Sequence, residues 1–170
     1  TIEVGKRDRV ILRLIASVMP KTACNMIILF TALLSWAGGV LCLINKRDTG
    51  GLGCLALFCV VSFLYFSIET KTLIIFYGNQ TLYSVLFFLC LMLMPILLQL
   101  YIERTLEGFH KKLSELLIFI GVLNALVQML IQVLNIADFM ELSVFSHLLV
   151  FIATVSGMVM YIDRLRKDRE

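Results

Sequence analysis

The chain has 170 residues, of which 60% are hydrophobic and 16% charged, with a formal net charge of +3. A water-soluble domain is about 45–50% apolar, so the surplus here, with a mean hydropathy of +0.95, calls for lipid as solvent. Those proportions exclude a second soluble domain within the chain and leave no basic face for a nucleic-acid partner.

A spanning helix needs about 20 apolar residues. The sequence predicts an all-α membrane protein, a polytopic helical bundle with five spans near 24–45, 51–68, 82–102, 114–134 and 143–162. Residues 1–21 are too charged to span. Val10, Ile11, Leu14, Ile15 and Met19 fall at helical spacing opposite Arg9 and Arg13, which predicts a short amphipathic juxtamembrane helix. Pro20 marks a break before the first span.

The first span carries Ala37, Gly38 and Gly39, small enough to let another helix approach closely. A polar turn, "NKRDTGG", leads into the second span, which ends at Glu69. Residues 71–81 read as a short helix at the membrane face, turning at Gly78. The third span contains Pro95 and Gln99, one turn apart on one face. The proline frees a carbonyl and predicts a kink. The amide is placed to bond a neighbouring helix or a ligand. In the fourth span Asn124, Gln128 and Gln132 recur every fourth residue as one stripe, which must face the bundle, a cavity or a partner. The fifth span opens with Ser143, Ser146 and His147, just after Asp138 and Glu141. A histidine there serves as a pH sensor or bonds a carboxylate. The run 163–170 reads as a basic helical tail or linker.

Lys and Arg concentrate in alternate loops: Lys46 and Arg47, then Arg104, Lys111 and Lys112, then Arg164, Arg166, Lys167 and Arg169. The intervening loops hold only Lys71, and Asp138 with Glu141. The positive-inside rule places the N-terminus outside and the C-terminus in the cytoplasm of a plasma-membrane protein. Lys6, Arg7, Arg9, Arg13 and Lys21 oppose this, unless they belong to a region translocated with a preceding domain. The chain starts at Thr1 and ends within a charged helical run, so it reads as a piece of a longer polypeptide.

No charged residue lies mid-span, as pumps and voltage sensors require. No phosphate loop, zinc motif or nucleophile elbow is present. The five cysteines lie in or beside apolar runs and read as small hydrophobes. No catalytic residues, metal or cofactor are therefore expected within the chain.

Residues 51–102 carry a glycine-led span ending in Glu69-Thr70, a Gly78-Asn79 turn, and an aromatic-led span with Tyr83, Met92 and Pro95. The string resembles the membrane region of bacterial sensors that end in a GGDEF domain, akin to seven-transmembrane receptors with diverse intracellular signalling modules. The segment 134–150, with Asp138, Glu141 and His147, is similar too, as is "VGKRDRVILRLIASVMP" to the lead-in of that family. The chain departs from the pattern at Tyr65, often Trp there, and at Gln80, often Pro. The resemblance implies two further spans beyond Glu170 and then a diguanylate cyclase, dimeric, that makes cyclic di-GMP. It implies a sensor and transmitter here, with Glu69, Asn79, Tyr83, Pro95, Gln99, Asn124, Gln128, Gln132, Asp138, Glu141 and His147 as candidates for sensing or transmission. The expected partners are the lipid bilayer, a second copy through the output region, and an unidentified small ligand or extracellular domain. The alternatives are the sensor half of a histidine kinase, or a small transporter or membrane-complex subunit. A transporter would favour internal repeats, and none is visible.

Overall fold

The computed structural model describes residues 2–45, 51–70, 80–107, 109–136 and 139–167. Five helices make up the fold: α1 (Ile2–Ile44), α2 (Leu52–Glu69), α3 (Gln80–Thr105), α4 (Lys111–Val133) and α5 (Phe139–Lys167). All five are long and apolar enough to cross a membrane, over Met19–Ile44, Leu52–Glu69, Thr81–Thr105, Lys111–Val133 and Met140–Lys167. In lipid every backbone N–H and C=O needs a partner inside the chain, and a helix supplies them all. At about 1.5 Å per residue even α2, with 18 residues, reaches about 27 Å, close to the thickness of a hydrocarbon core. The chain is a multi-pass, all-α membrane protein.

The helices alternate in direction, and pairwise contacts show it. Near one rim Asn25 of α1 meets Ser67 of α2, Tyr65 of α2 meets His147 of α5, and Gln128 of α4 meets Ser146 of α5. Near the other, Gly51 before α2 lies against Arg104 and Thr105 of α3, and Arg164 of α5 bonds the carbonyl of Leu106. The second rim carries Arg104, Lys111, Lys112, Arg164, Arg166 and Lys167, and is called the basic rim below.

The structure corrects the expected break at Pro20: α1 is one helix of 43 residues with that proline inside it. Proline leaves the carbonyl of Ala16 without its usual donor. That is one bond in a long ladder, and the flanking turns keep the helix going. The lead-in therefore continues into the first span rather than forming a separate element. Likewise α3 passes through Pro95 without interruption. The short helix expected over 71–81 falls largely outside the described residues, and Gln80 and Thr81 already belong to α3.

Packing explains which faces are buried. Helix α3 is the hub, against α2 on one side and α4 and α5 on the other. Its Tyr83, Cys90, Leu91, Met92, Met94 and Gln99 are buried accordingly. Helix α1 leans on α2 along a stripe of Asn25, Ala32, Ser35 and Gly39. Its other faces present Phe30, Leu34 and Trp36, the last 66% exposed, to lipid. Gly38 and Gly39 do face a neighbour, but a Cβ there would meet Leu52 at an ordinary 3.6 and 3.9 Å. The tight approaches are elsewhere. A Cβ on Gly121 would stand 2.9 Å from Ile96 Cγ1, and one on Gly157 would overlap Ile102. Those two glycines let α4 and α5 close onto α3.

Helix α4 ends in a Schellman turn. Asn135 adopts a left-handed φ of 58°, its N–H donates to Gln132 O, and Ile136 N–H donates to Ile131 O. Asparagine tolerates that conformation better than most residues.

Candidate functional site

Polar side chains inside this bundle group into clusters at two depths. Nearer the basic rim, Gln99 is 1% exposed. Its Nε2 donates to Ala153 O at 2.9 Å and to Ser156 Oγ at 3.0 Å on α5. Ser114 of α4 donates toward the backbone carbonyl of Gln99 at 3.3 Å and its Oε1 at 3.5 Å. One amide thus ties three helices. Between lipid-facing helices such bonds contribute about 0.6–2 kcal/mol each.

Toward the opposite rim lies the stripe read from the sequence. Gln128 is 2% exposed and its Nε2 has three acceptors within reach: Asn124 Oδ1 at 2.9 Å, Ser146 Oγ at 3.1 Å and Leu142 O at 3.2 Å. Ser146 returns a bond to Gln128 Oε1 at 3.2 Å, and Asn124 Nδ2 reaches Ser146 Oγ at 3.3 Å. The amide has two hydrogens for three acceptors, so its pairing is degenerate. Gln132, the third of the stripe, is half-buried.

Tyr65 and His147 close the same rim. His147 Nδ1 sits 2.8 Å from Ser143 O, so that nitrogen carries the proton and donates. Nε2 is then the acceptor for Tyr65 Oη, 3.2 Å away. The Tyr65 ring stacks on Phe87 of α3 with centroids 4.6 Å apart. The carboxylate partner considered for His147 is not what it bonds. Glu69 and Glu141 are exposed, Tyr83 and Pro95 are buried in the hub, and Asn79 and Asp138 lie outside the described residues.

Between α1 and α2, at this rim, is a cavity of about 300 Å³ lined by Pro20, Lys21, Asn25, Phe66, Glu69 and their neighbours. Asn25 Nδ2 donates to Ser67 Oγ at 2.6 Å, while its Oδ1 is buried with no partner among the described residues. Leaving such an acceptor unmatched costs about 1–3 kcal/mol.

At the basic rim the α3–α4 connection is pinned to α5. Arg164 bonds the carbonyl of Leu106 and approaches Glu107 at 3.5 Å. His110 lies 3.3 Å from Asp163, and Lys167 sits over the Phe109 ring.

Sequence reasoning did not find Asn25, Tyr65, Ser114, Ser156 or Arg164 as partners. Serine and tyrosine in apolar runs carry no signal of their own. Asn25 had one, as an amide inside the first span. Among the described residues Ser146 bonds amides rather than an imidazole or carboxylate, so nothing there activates a nucleophile. The clusters can hold helices together and exchange partners. No family model, curated protein or solved structure matches the chain.

Proposed function

We propose that the chain is a membrane-embedded sensor and transmitter of a bacterial signalling protein, passing an outer or membrane cue to a cytoplasmic output domain. The observation that carries this reading is the degenerate pairing of Gln128. Three acceptors compete for two hydrogens, so a small shift of α5 exchanges one bond for another instead of breaking one. A switch needs two packings of similar energy.

Helix α5 connects that cluster to everything else. It meets Tyr65 through His147, Gln128 through Ser146 and Gln99 through Ala153 and Ser156. It then runs unbroken to Lys167 at the basic rim. A sliding or rotation of α5 at one rim is therefore delivered to the other. The positive-inside rule favours the basic rim as the cytoplasmic one. The resemblance of residues 51–102 to sensors ending in GGDEF domains supports a dimeric diguanylate cyclase as the output.

The test is made in the full-length parent protein. Asn124, Gln128 and Gln132 are replaced together by leucine, and cellular cyclic di-GMP is measured at matched expression. The reading expects output locked high or low. Output that still follows the wild-type response would sink it.

A further inference from the structure

We propose that the cavity between α1 and α2 is a binding site for a small zwitterionic amphiphile, bearing an ammonium with N–H donors and an anionic group. This is a claim of occupancy and stands whether or not the chain signals.

The cavity's about 300 Å³ lies at the lower end of the range for small-ligand sites. Its wall sorts by chemistry. Ile28 and Phe66 supply an apolar floor, and Lys21 and Glu69 supply one charge of each sign. Neither Lys21 nor Glu69 takes part in an ion pair among the described residues. Asn25, which also lines the cavity, is 5% exposed, and its Oδ1 has no donor.

Each polar group names what it lacks. Glu69 and Asn25 Oδ1 are acceptors without a donor, which an ammonium satisfies at both. Lys21 is a cation without an anion, which a phosphate or carboxylate satisfies. The apolar floor takes a short hydrocarbon. One molecule with an ammonium, an anionic group and an apolar part meets all of them. A neutral lipid or a simple anion leaves at least one unmatched. Two sources carry that chemistry: the phosphoethanolamine headgroup of a membrane lipid, and a free amino acid with an apolar side chain. A choline headgroup does not, because its quaternary ammonium has no N–H to give.

Cys24 lines the same cavity and is exposed, so occupancy can be read as its protection. The chain is placed in phosphatidylcholine nanodiscs, and alkylation of Cys24 by N-ethylmaleimide is followed by peptide mass spectrometry. Half-buried Cys54 on α2 serves as the internal reference. Phosphatidylethanolamine is titrated into the nanodiscs in one arm, and free L-leucine is added in the other. Slowing of Cys24 relative to Cys54 in the first arm assigns the site to a lipid headgroup, and slowing in the second assigns it to a soluble zwitterion. Glu69→Gln should raise the half-protecting concentration about tenfold, the usual effect of losing one charge-assisted hydrogen bond. Asn25→Leu and the exposed Lys21→Met should each raise it as well. Equal Cys24 rates in all preparations overturn the proposal. So does protection that survives unchanged in all three variants.

Discussion

Tyr65 Oη lies 3.2 Å from His147 Nε2, joining α2 to α5 across 82 residues of sequence. The bond bridges two helices that both pack on the hub α3, and the tyrosine ring is stacked on Phe87 of that hub. Tyr65→Phe keeps the stack and removes the bond, so it should destabilise the bundle by about 0.6–1 kcal/mol. His147→Ala should do the same, and the double variant should cost less than the sum. Steric-trap unfolding in bicelles measures all three. Strict additivity would show that the bond contributes nothing.

Gly157 is the place where α5 comes nearest α3. Adding a methyl there drives it into Ile102, and overpacking of this kind costs about 1–3 kcal/mol. Gly157→Ala should therefore be destabilised, and Ile102→Val, which deletes the obstructing terminal methyl, should restore it. Gly38→Ala meets only an ordinary contact with Leu52 and should stay within about 0.5 kcal/mol of wild type. The same unfolding assay ranks the variants, and a Gly38→Ala loss as large as that of Gly157→Ala would refute the assignment of the tight approach.

Gln128 and Ser146 are reciprocal partners. Gln128→Leu strands Ser146 and Asn124 and should cost about 1–3 kcal/mol. Replacing Asn124, Gln128 and Ser146 together by apolar residues should cost less than Gln128→Leu alone, because no buried polar group is then left unmatched. Recovery of thermal stability in the triple variant is the expected result, and a further drop would contradict it.

Arg164 holds the connection between α3 and α4 through the carbonyl of Leu106. Arg164→Ala should raise hydrogen exchange at Phe109 and Leu113 while leaving α2 protected. Its ion pair with the exposed Glu107 is of the kind worth about 0–1 kcal/mol, so Glu107→Gln should leave the loop unchanged. Equal effects of the two variants would mean that the ion pair, not the carbonyl, is the anchor.

Alternating helices place Lys71 and Lys112 on opposite sides of the membrane, with Lys112 at the basic rim. Reporter fusions at the two positions should give opposite readings, with activity at Lys112 from a cytoplasmic reporter. Two readings from the same side would overturn the five-span alternation.

The helices and their approximate limits were legible because apolar runs of spanning length admit one backbone solution. So was the inward turn of Gln99 and Gln128, since an amide among leucines must find a partner. What those amides bond was not legible. A hydroxyl in a span can satisfy itself on its own helix, as Thr31 does on Ile27 O and Thr154 on Val150 O. Nothing in sequence separates these from Ser114 and Ser156, which reach across to Gln99. The Gly38-Gly39 pair looked like the close contact, and the isolated Gly121 and Gly157 are the ones that matter. Tightness depends on the facing side chain, here Ile96 and Ile102, and that is fixed by register between helices. Pro20 misled for a related reason: one lost backbone bond weakens a helix locally, and its neighbours decide whether the chain turns.

The chain has one tryptophan, and Trp36 points away from the bundle. Its emission is therefore a lamp hung in the acyl chains. Nitroxide-bearing lipids should quench it according to how deep the label sits, giving the immersion of α1 without any added dye. The same placement makes it nearly blind to the inner contacts among α2 to α5. A titration that loosens the amide clusters while α1 stays in the bilayer should leave the emission colour almost constant. A steady signal from this residue testifies to the solvent around α1 and says little about the order behind it.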